Sequence, residues 1–177
     1  MLFRSKVAKT AMEWCCGPGY FGLMSYKYGI AENVVLSDIF EPLGEMVNKT
    51  ISENNLNEHI RFIHSNNFKN INEKFDLIIG NPPHFNFHLD ENEETLHYNE
   101  HRKFIDLDWK IHEDFFDNVN NYLNDDGSII LMENVKGSTP KTFLSMIEKN
   151  NLKITNVFKS IEFPDDVWYM EIVKRKV

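Results

Sequence analysis

Three glycines, set two and three residues apart, constrain this chain more than any other feature. Gly17, Gly19 and Gly22 follow the apolar run Thr10–Cys16 and open a helical pattern that reaches Tyr28. Such a run reads as a strand. Glycines spaced G-x-G-x-x-G behind it allow a tight turn and a close approach of a ligand to the backbone. Gly29 then stops the helix. Strand, turn and helix together predict the first unit of an α/β fold.

The alternation continues downstream. Asn33–Asp38 reads as a second strand. A helix starts near Pro42, where proline fits the first turn, and Leu43, Met46, Val47 and Ile51 recur along it at helical spacing. Ile60–His64 and Phe75–Gly80 are short apolar runs between polar loops, and are read as strands. Asp108–Leu123 is an amphipathic helix with Trp109, His112, Phe115, Phe116, Val119 and Leu123 on one face; Asn124–Gly127 ends it and Ser128–Glu133 is a strand. Thr139-Pro140 carries the cap-then-proline signature of a helix through Ile147. Ile154–Glu162 and Val167–Lys174 are two final strands, joined through Pro164-Asp165-Asp166. Strands alternating with helices predict an α/β domain with a mostly parallel sheet. A length of 177 residues, of which 42% are hydrophobic, suits one domain spanning 1–177 with ample core.

Composition narrows the setting. No long apolar stretch follows Met1–Ala8, so no signal peptide is expected, and no window approaches the roughly 20 apolar residues of a membrane span. Cys15 and Cys16 are adjacent, a spacing that strains a disulfide, and a reduced, cytoplasmic setting follows. The net charge of −8 argues against tight nonspecific binding to nucleic acid, while leaving a transient nucleic-acid substrate open.

Asp38 closes the second strand about 20 residues beyond the glycine turn, where a carboxylate can accept both ribose hydroxyl hydrogens. The turn and Asp38 alone suit any adenosine-containing cofactor. A second motif is more discriminating: Phe75-Asp76-Leu77-Ile78-Ile79-Gly80-Asn81-Pro82-Pro83-His84 places Asn-Pro-Pro and a flat ring directly after a buried strand. Here the chain resembles class I S-adenosylmethionine-dependent methyltransferases. Within them it resembles the branch with an Asn-Pro-Pro-Tyr/Phe motif, which methylates adenine amino groups, glutamine side-chain amides and related nitrogens. The resemblance runs from about Ala8 to the C-terminus.

It implies a Rossmann-like, seven-stranded, mostly parallel sheet with an antiparallel last strand and helices on both faces, holding S-adenosyl-L-methionine over the carboxyl ends of the first strands. Glu13 would stand near the methionine amino group, with Cys15, Gly17 and Gly19 in the loop and Asp38 on the ribose. Asn66, with Asn67 close by, takes the place of an acid that accepts from the adenine amino group; an amide oxygen can do the same. Asn81 and the Pro82 carbonyl would hold both hydrogens of the acceptor nitrogen, and the His84 ring would stack on the planar acceptor. Three positions depart from the pattern: Cys15 replaces a glycine, Asn66 an acid, and His84 a tyrosine or phenylalanine.

The segment 85–107 is an irregular acceptor-side loop, rich in acids and histidines. His84/His88 and His97/His101 have metal-ligand spacing, but the flanks lack a firm helical pattern, so we expect no metal and read the loop as an acceptor cover. Glu133 ends a strand at the same sheet edge and either lines the acceptor pocket or is solvated. Trp14 and Trp168 read as packing residues, and Cys15 and Cys16 as small buried ones. About nine residues precede the first strand, so a separate N-terminal recognition domain is not expected. Acidic charge tilts the acceptor slightly towards protein or a small molecule. Two other functions use the same features: a non-catalytic methyltransferase-like subunit bound to a partner, and an NAD-dependent oxidoreductase, for which Asn81–His84 would have no role.

Overall fold

A computed structural model of the chain describes residues 7–87 and 104–176. Seven strands form one sheet: β1 (Ala8–Trp14), β2 (Ala31–Asp38), β3 (Ile60–His64), β4 (Phe75–Gly80), β5 (Leu123–Asn134), β6 (Leu152–Lys159) and β7 (Val167–Lys174). Their order is β3-β2-β1-β4-β5-β7-β6. The pairs from β3 to β5 are parallel, and β7 runs antiparallel to both its neighbours. The helices are α1 (Tyr20–Lys27), α2 (Leu43–Glu53), α3 (Lys110–Asn118) and α4 (Pro140–Lys149).

Side chains alternate across a strand, so each strand feeds two cores. Met12 and Trp14 of β1 join Ile78, Ile129, Met170, Phe115 and Phe143 in one cluster under α3 and α4. Ala11 of the same strand joins Val34, Leu36, Leu77, Val47 and Ile51 in the other, under α1 and α2. Helices thus cover both faces, as a parallel sheet requires. No helix of the described residues is long and apolar enough to cross a membrane.

Most expected elements are present, with shifted edges. β1 stops at Trp14, because Cys15 turns to a φ of 53° and breaks the extended backbone. The buried face of α2 is Gly44, Val47 and Ile51; Met46 lies one position round the helix and is exposed. The expected Asp108–Leu123 helix is shorter: α3 is flanked by 3-10 turns at Leu107–Trp109 and Val119–Asn121. Leu123 belongs to β5, opposite Phe75, and the register slips over the polar stretch before Ser128 pairs with Leu77. β2 and β6 each begin two residues earlier than expected, and β6 also ends three residues sooner. Thr139 caps α4 in a reciprocal box with Thr142.

Candidate active site

The carboxyl ends of β1, β2, β3 and β4 open onto one cavity of about 570 Å³, within the size range of small-molecule sites. Parallel strands leave their unpaired ends and the following turns on one edge, and the turn after β1 is shaped to approach a ligand. Gly19 has a φ of 83°, and a Cβ on Gly22 would come within 2.3 Å of Leu36 Cδ2. Only glycine lets α1 start so close to β2. Cys15, in the first loop position, holds a left-handed backbone without being glycine.

Two carboxylates organise this loop. Glu13 is buried and accepts hydrogen bonds from the amides of Phe21 (3.2 Å) and Gly22 (2.7 Å), the first turn of α1. Burial raises its carboxyl pKa to about 7, against the lowering effect of those amides. Asp38 accepts from the Gly17 amide at 2.8 Å and, through its other oxygen, from the Phe40 amide at 2.9 Å. An ionised carboxylate has about four acceptor positions, so two remain on Asp38 for a ligand.

Glu13, Cys15, Gly17, Asp38, Asn66, Asn67 and Asn81 line the cavity, whereas Gly19, Pro82 and His84 do not. Asn66 is exposed on the wall. Asn67 is buried: its Oδ1 accepts from Trp14 Nε1 at 2.7 Å, and its Nδ2 donates to Asp114 and to the Ile111 carbonyl. That amide braces the cavity floor, and its side-chain groups are already engaged. Asn81 is exposed at the mouth, and Pro82 and Pro83 are buried behind it. Phe104 lines the far side. The loop 85–107 is tied at its base: the Phe85 amide donates to Phe104 O, the Asp106 amide donates to Phe85 O, and Phe85 pairs with Ile105. His88, His97 and His101 lie outside the described residues.

Sequence reading missed a buried ionic chain behind Asn81–His84. His84 Nδ1 faces Glu133 Oε2 at 3.3 Å; Glu133 Oε1 faces His112 Nε2 at 3.0 Å; His112 Nδ1 faces Asp106 Oδ2 at 2.6 Å. Ser138 Oγ also donates to Glu133. Glu133 and His112 are fully buried, so Glu133 is not a solvated strand end. Burial disfavours the charged His112 ring, but hydrogen bonds to Asp106 and Glu133 hold its pKa above the usual value. Burial likewise pushes the Glu133 carboxyl up, and the donors His112 and His84 reverse that, leaving it below its ordinary range. Both ring nitrogens of His112 meet carboxylates, so both carry hydrogen. The available signal was a lone histidine on the apolar face of a helix, which when buried needs partners at both nitrogens.

The sequence profile of the methyltransferase small domain matches residues 2–162. The chain belongs to that family. Among curated relatives, this methyltransferase domain is 41% identical over 78 residues to the release factor glutamine methyltransferase of Borreliella burgdorferi, covering 44% of this chain and 27% of that one. It is 35% identical over 79 residues to a ribosomal RNA small subunit methyltransferase C of Haemophilus influenzae, covering 45% and 23%. It is 32% identical over 76 residues to the ribosomal protein uL3 glutamine methyltransferase of Francisella tularensis, covering 42% and 24%. The matches thus span about a quarter of those relatives. Among solved structures, the ribosomal protein L11 methylase of Lactobacillus delbrueckii superposes with a TM-score of 0.69 at 16% identity, over 98% of this chain and 73% of that one. An S-adenosylmethionine-dependent methyltransferase of Clostridium acetobutylicum gives 0.67 at 12% identity, over 95% and 85%. At such identities the likeness establishes the fold.

Proposed function

We propose that this domain binds S-adenosyl-L-methionine in the cavity and transfers its methyl group to a planar nitrogen, with a glutamine side-chain amide in a protein as the favoured acceptor. The observation that carries the reading is the convergence of Asp38, Glu13 and Asn81 on one cavity at the ends of four parallel strands. The donor set fits the cofactor: a carboxylate with spare acceptor positions for ribose hydroxyls, a second acid for the ammonium, and an exposed amide at Asn66 for the adenine amino group. Ile39, Phe40 and Leu43 add apolar wall beside Asp38.

When bound, the cofactor supplies an electrophilic methyl on a sulfonium. The chain's own residues do the rest. An amide nitrogen is a poor nucleophile because its lone pair is delocalised. The Asn81 side-chain oxygen and the Pro82 carbonyl are two acceptors that together hold both N–H groups, aim the lone pair and stabilise positive charge growing on nitrogen. Consecutive prolines fix φ and stiffen that loop. The net charge of −8 and the two glutamine methyltransferases among the relatives favour a protein acceptor over ribosomal RNA.

Labelled methyl transfer tests this directly. Ribosomal RNA, ribosomal proteins and release factors, from a bacterial strain lacking its own glutamine methyltransferase, are offered separately with labelled cofactor. Label is expected in a protein fraction, in methylglutamine after enzymatic digestion and as methylamine after acid hydrolysis. Asn81→Ala should bind the cofactor with nearly unchanged affinity and lose turnover sharply, because the interaction strengthens in the transition state. Label in RNA alone would reassign the acceptor; wild-type turnover by Asn81→Ala would remove Asn81 from the chemistry. A domain that binds no cofactor would favour a non-catalytic subunit.

A further inference from the structure

We propose that His84 accepts the proton released by the methylated nitrogen, and that Glu133, His112 and Asp106 form a buried chain that sets its ring in the required tautomer. This deepens the nitrogen-methylation reading and rests on it.

The argument starts from acceptors and donors. Glu133 is a buried carboxylate, which can only accept. Its Oε2 lies 3.3 Å from His84 Nδ1, so the ring must donate there. In the neutral imidazole this places the lone pair on Nε2, and Nε2 bonds to no described residue. Glu133 is itself fixed: Oε1 takes the His112 Nε2 hydrogen at 3.0 Å, and Oε2 also receives Ser138 Oγ at 3.2 Å. His112 is anchored at its other nitrogen by Asp106, whose carboxylate also accepts the amides of Ile111 and His112 at the start of α3. The backbone of His84 also lies close against Gly137, where an added Cβ would sit 1.9 Å from the His84 carbonyl oxygen. Among the described residues Glu133 alone bonds the ring, and three further side chains, from residues 106–112 and 133–138, hold Glu133 in place; the ring still keeps 16% of its side-chain surface exposed.

A stacking platform needs no such support; a proton acceptor does, because its tautomer decides whether it works. His84 follows Asn81 by three residues, on the loop that carries the proposed acceptor contacts, one residue beyond Pro83 of the cavity lining. The step balances. The acceptor nitrogen's lone pair forms the N–C bond as the donor's S–C bond breaks, the donor leaves as a neutral thioether, and one of the two protons held by Asn81 and Pro82 leaves its carbonyl and passes from the now cationic nitrogen to His84 Nε2. The chain then shares the new imidazolium charge with Glu133.

Two measurements test this on the whole chain. Nitrogen-15 histidine spectra report each ring's tautomer. His112 should carry hydrogen on both nitrogens, and neutral His84 should carry it on Nδ1. Glu133→Gln, which offers an amide N–H in place of a carboxylate oxygen, should move the His84 hydrogen to Nε2. A wild-type His84 protonated on Nε2 alone would overturn the proposal. The second measurement is the pH profile of methyl transfer to the ribosomal and release-factor fractions at saturating cofactor. The groups facing that ring are Glu133 and Ser138, with His112 and Asp106 behind them. His84→Phe should keep cofactor affinity, lose about 10- to 100-fold in turnover and change the shape of the profile. If His84→Phe matches the wild type in rate and profile, His84 takes no proton, and nitrogen methylation stands without it. If the wild type binds cofactor and labels nothing, the nitrogen-methylation reading fails, and the proton-acceptor role fails with it.

Discussion

Glu13 carries opposed demands in one carboxyl group. Its two amide donors stabilise the charged form, yet burial outweighs them and lifts the pKa to about 7. A raised carboxyl pKa means that the folded chain binds more protons than the unfolded one between about pH 4.5 and 7. The contribution of Glu13 to stability therefore falls as pH rises across that window. A cationic ammonium placed against Glu13 would reverse the balance by favouring the carboxylate. Cofactor affinity should then rise with pH up to about 7, by at most tenfold per unit, and level off above it. Calorimetric titrations at pH 5.5, 6.5 and 7.5 would show this slope, and Glu13→Gln should flatten it while weakening binding at pH 7.5. An identical slope in the variant would place the ammonium elsewhere.

The same accounting at the level of α3 concerns a charged chain rather than one acid. His112 packs face to face on Phe143, with centroids 4.4 Å apart, and edge-on to Trp14 and Trp109, so the helix docks through a charged ring set among aromatic ones. His112→Phe would keep much of that packing and leave Asp106 and Glu133 buried without their cation. Breaking a buried pair in this way costs about 3–5 kcal/mol, whereas removing both sides together costs far less. Denaturant unfolding should show that loss for His112→Phe, and Asp106→Asn with Glu133→Gln in the same chain should recover part of it. If His112→Phe were as stable as the wild type, the chain would contribute nothing net to folding. The pH dependence has a definite sign. The contribution of Glu133, with its lowered pKa, is complete above about 4.5; that of His112, with its raised pKa, is complete below about 6.5. The wild-type advantage over His112→Phe should be greatest between these values and shrink as pH climbs through the raised His112 pKa.

For the molecule as a whole, the sheet was legible because apolar runs and glycine punctuation are local signals. Phe75–Gly80 and Val167–Lys174 fall where they were expected, and the glycine turn and Asp38 meet at one cavity. What stayed hidden depended on partners far along the chain. Nothing adjacent to His112 in sequence announces Glu133, which lies 21 residues away on β5, and nothing near Asn67 announces Trp14, 53 residues before it. Helix ends were also misjudged, since the backbone of Asp108 and Trp109 takes positive φ where helical periodicity alone would extend α3. The paired base of the loop 85–107 has an engineering consequence. Phe85 and Ile105 are paired in space, so the ends of the segment between them are already brought together, and the closure cost grows only as the logarithm of its length, about 0.6 kcal/mol per doubling. Residues 88–103 should therefore be exchangeable as a cassette. Replacing them with a short glycine-serine graft should leave thermal stability and cofactor affinity close to wild type; altered labelling of the acceptor fractions would support the expectation that this segment covers the acceptor. A domain whose segment at this joint can be exchanged without disturbing the sheet gives one scaffold room for many different inserts.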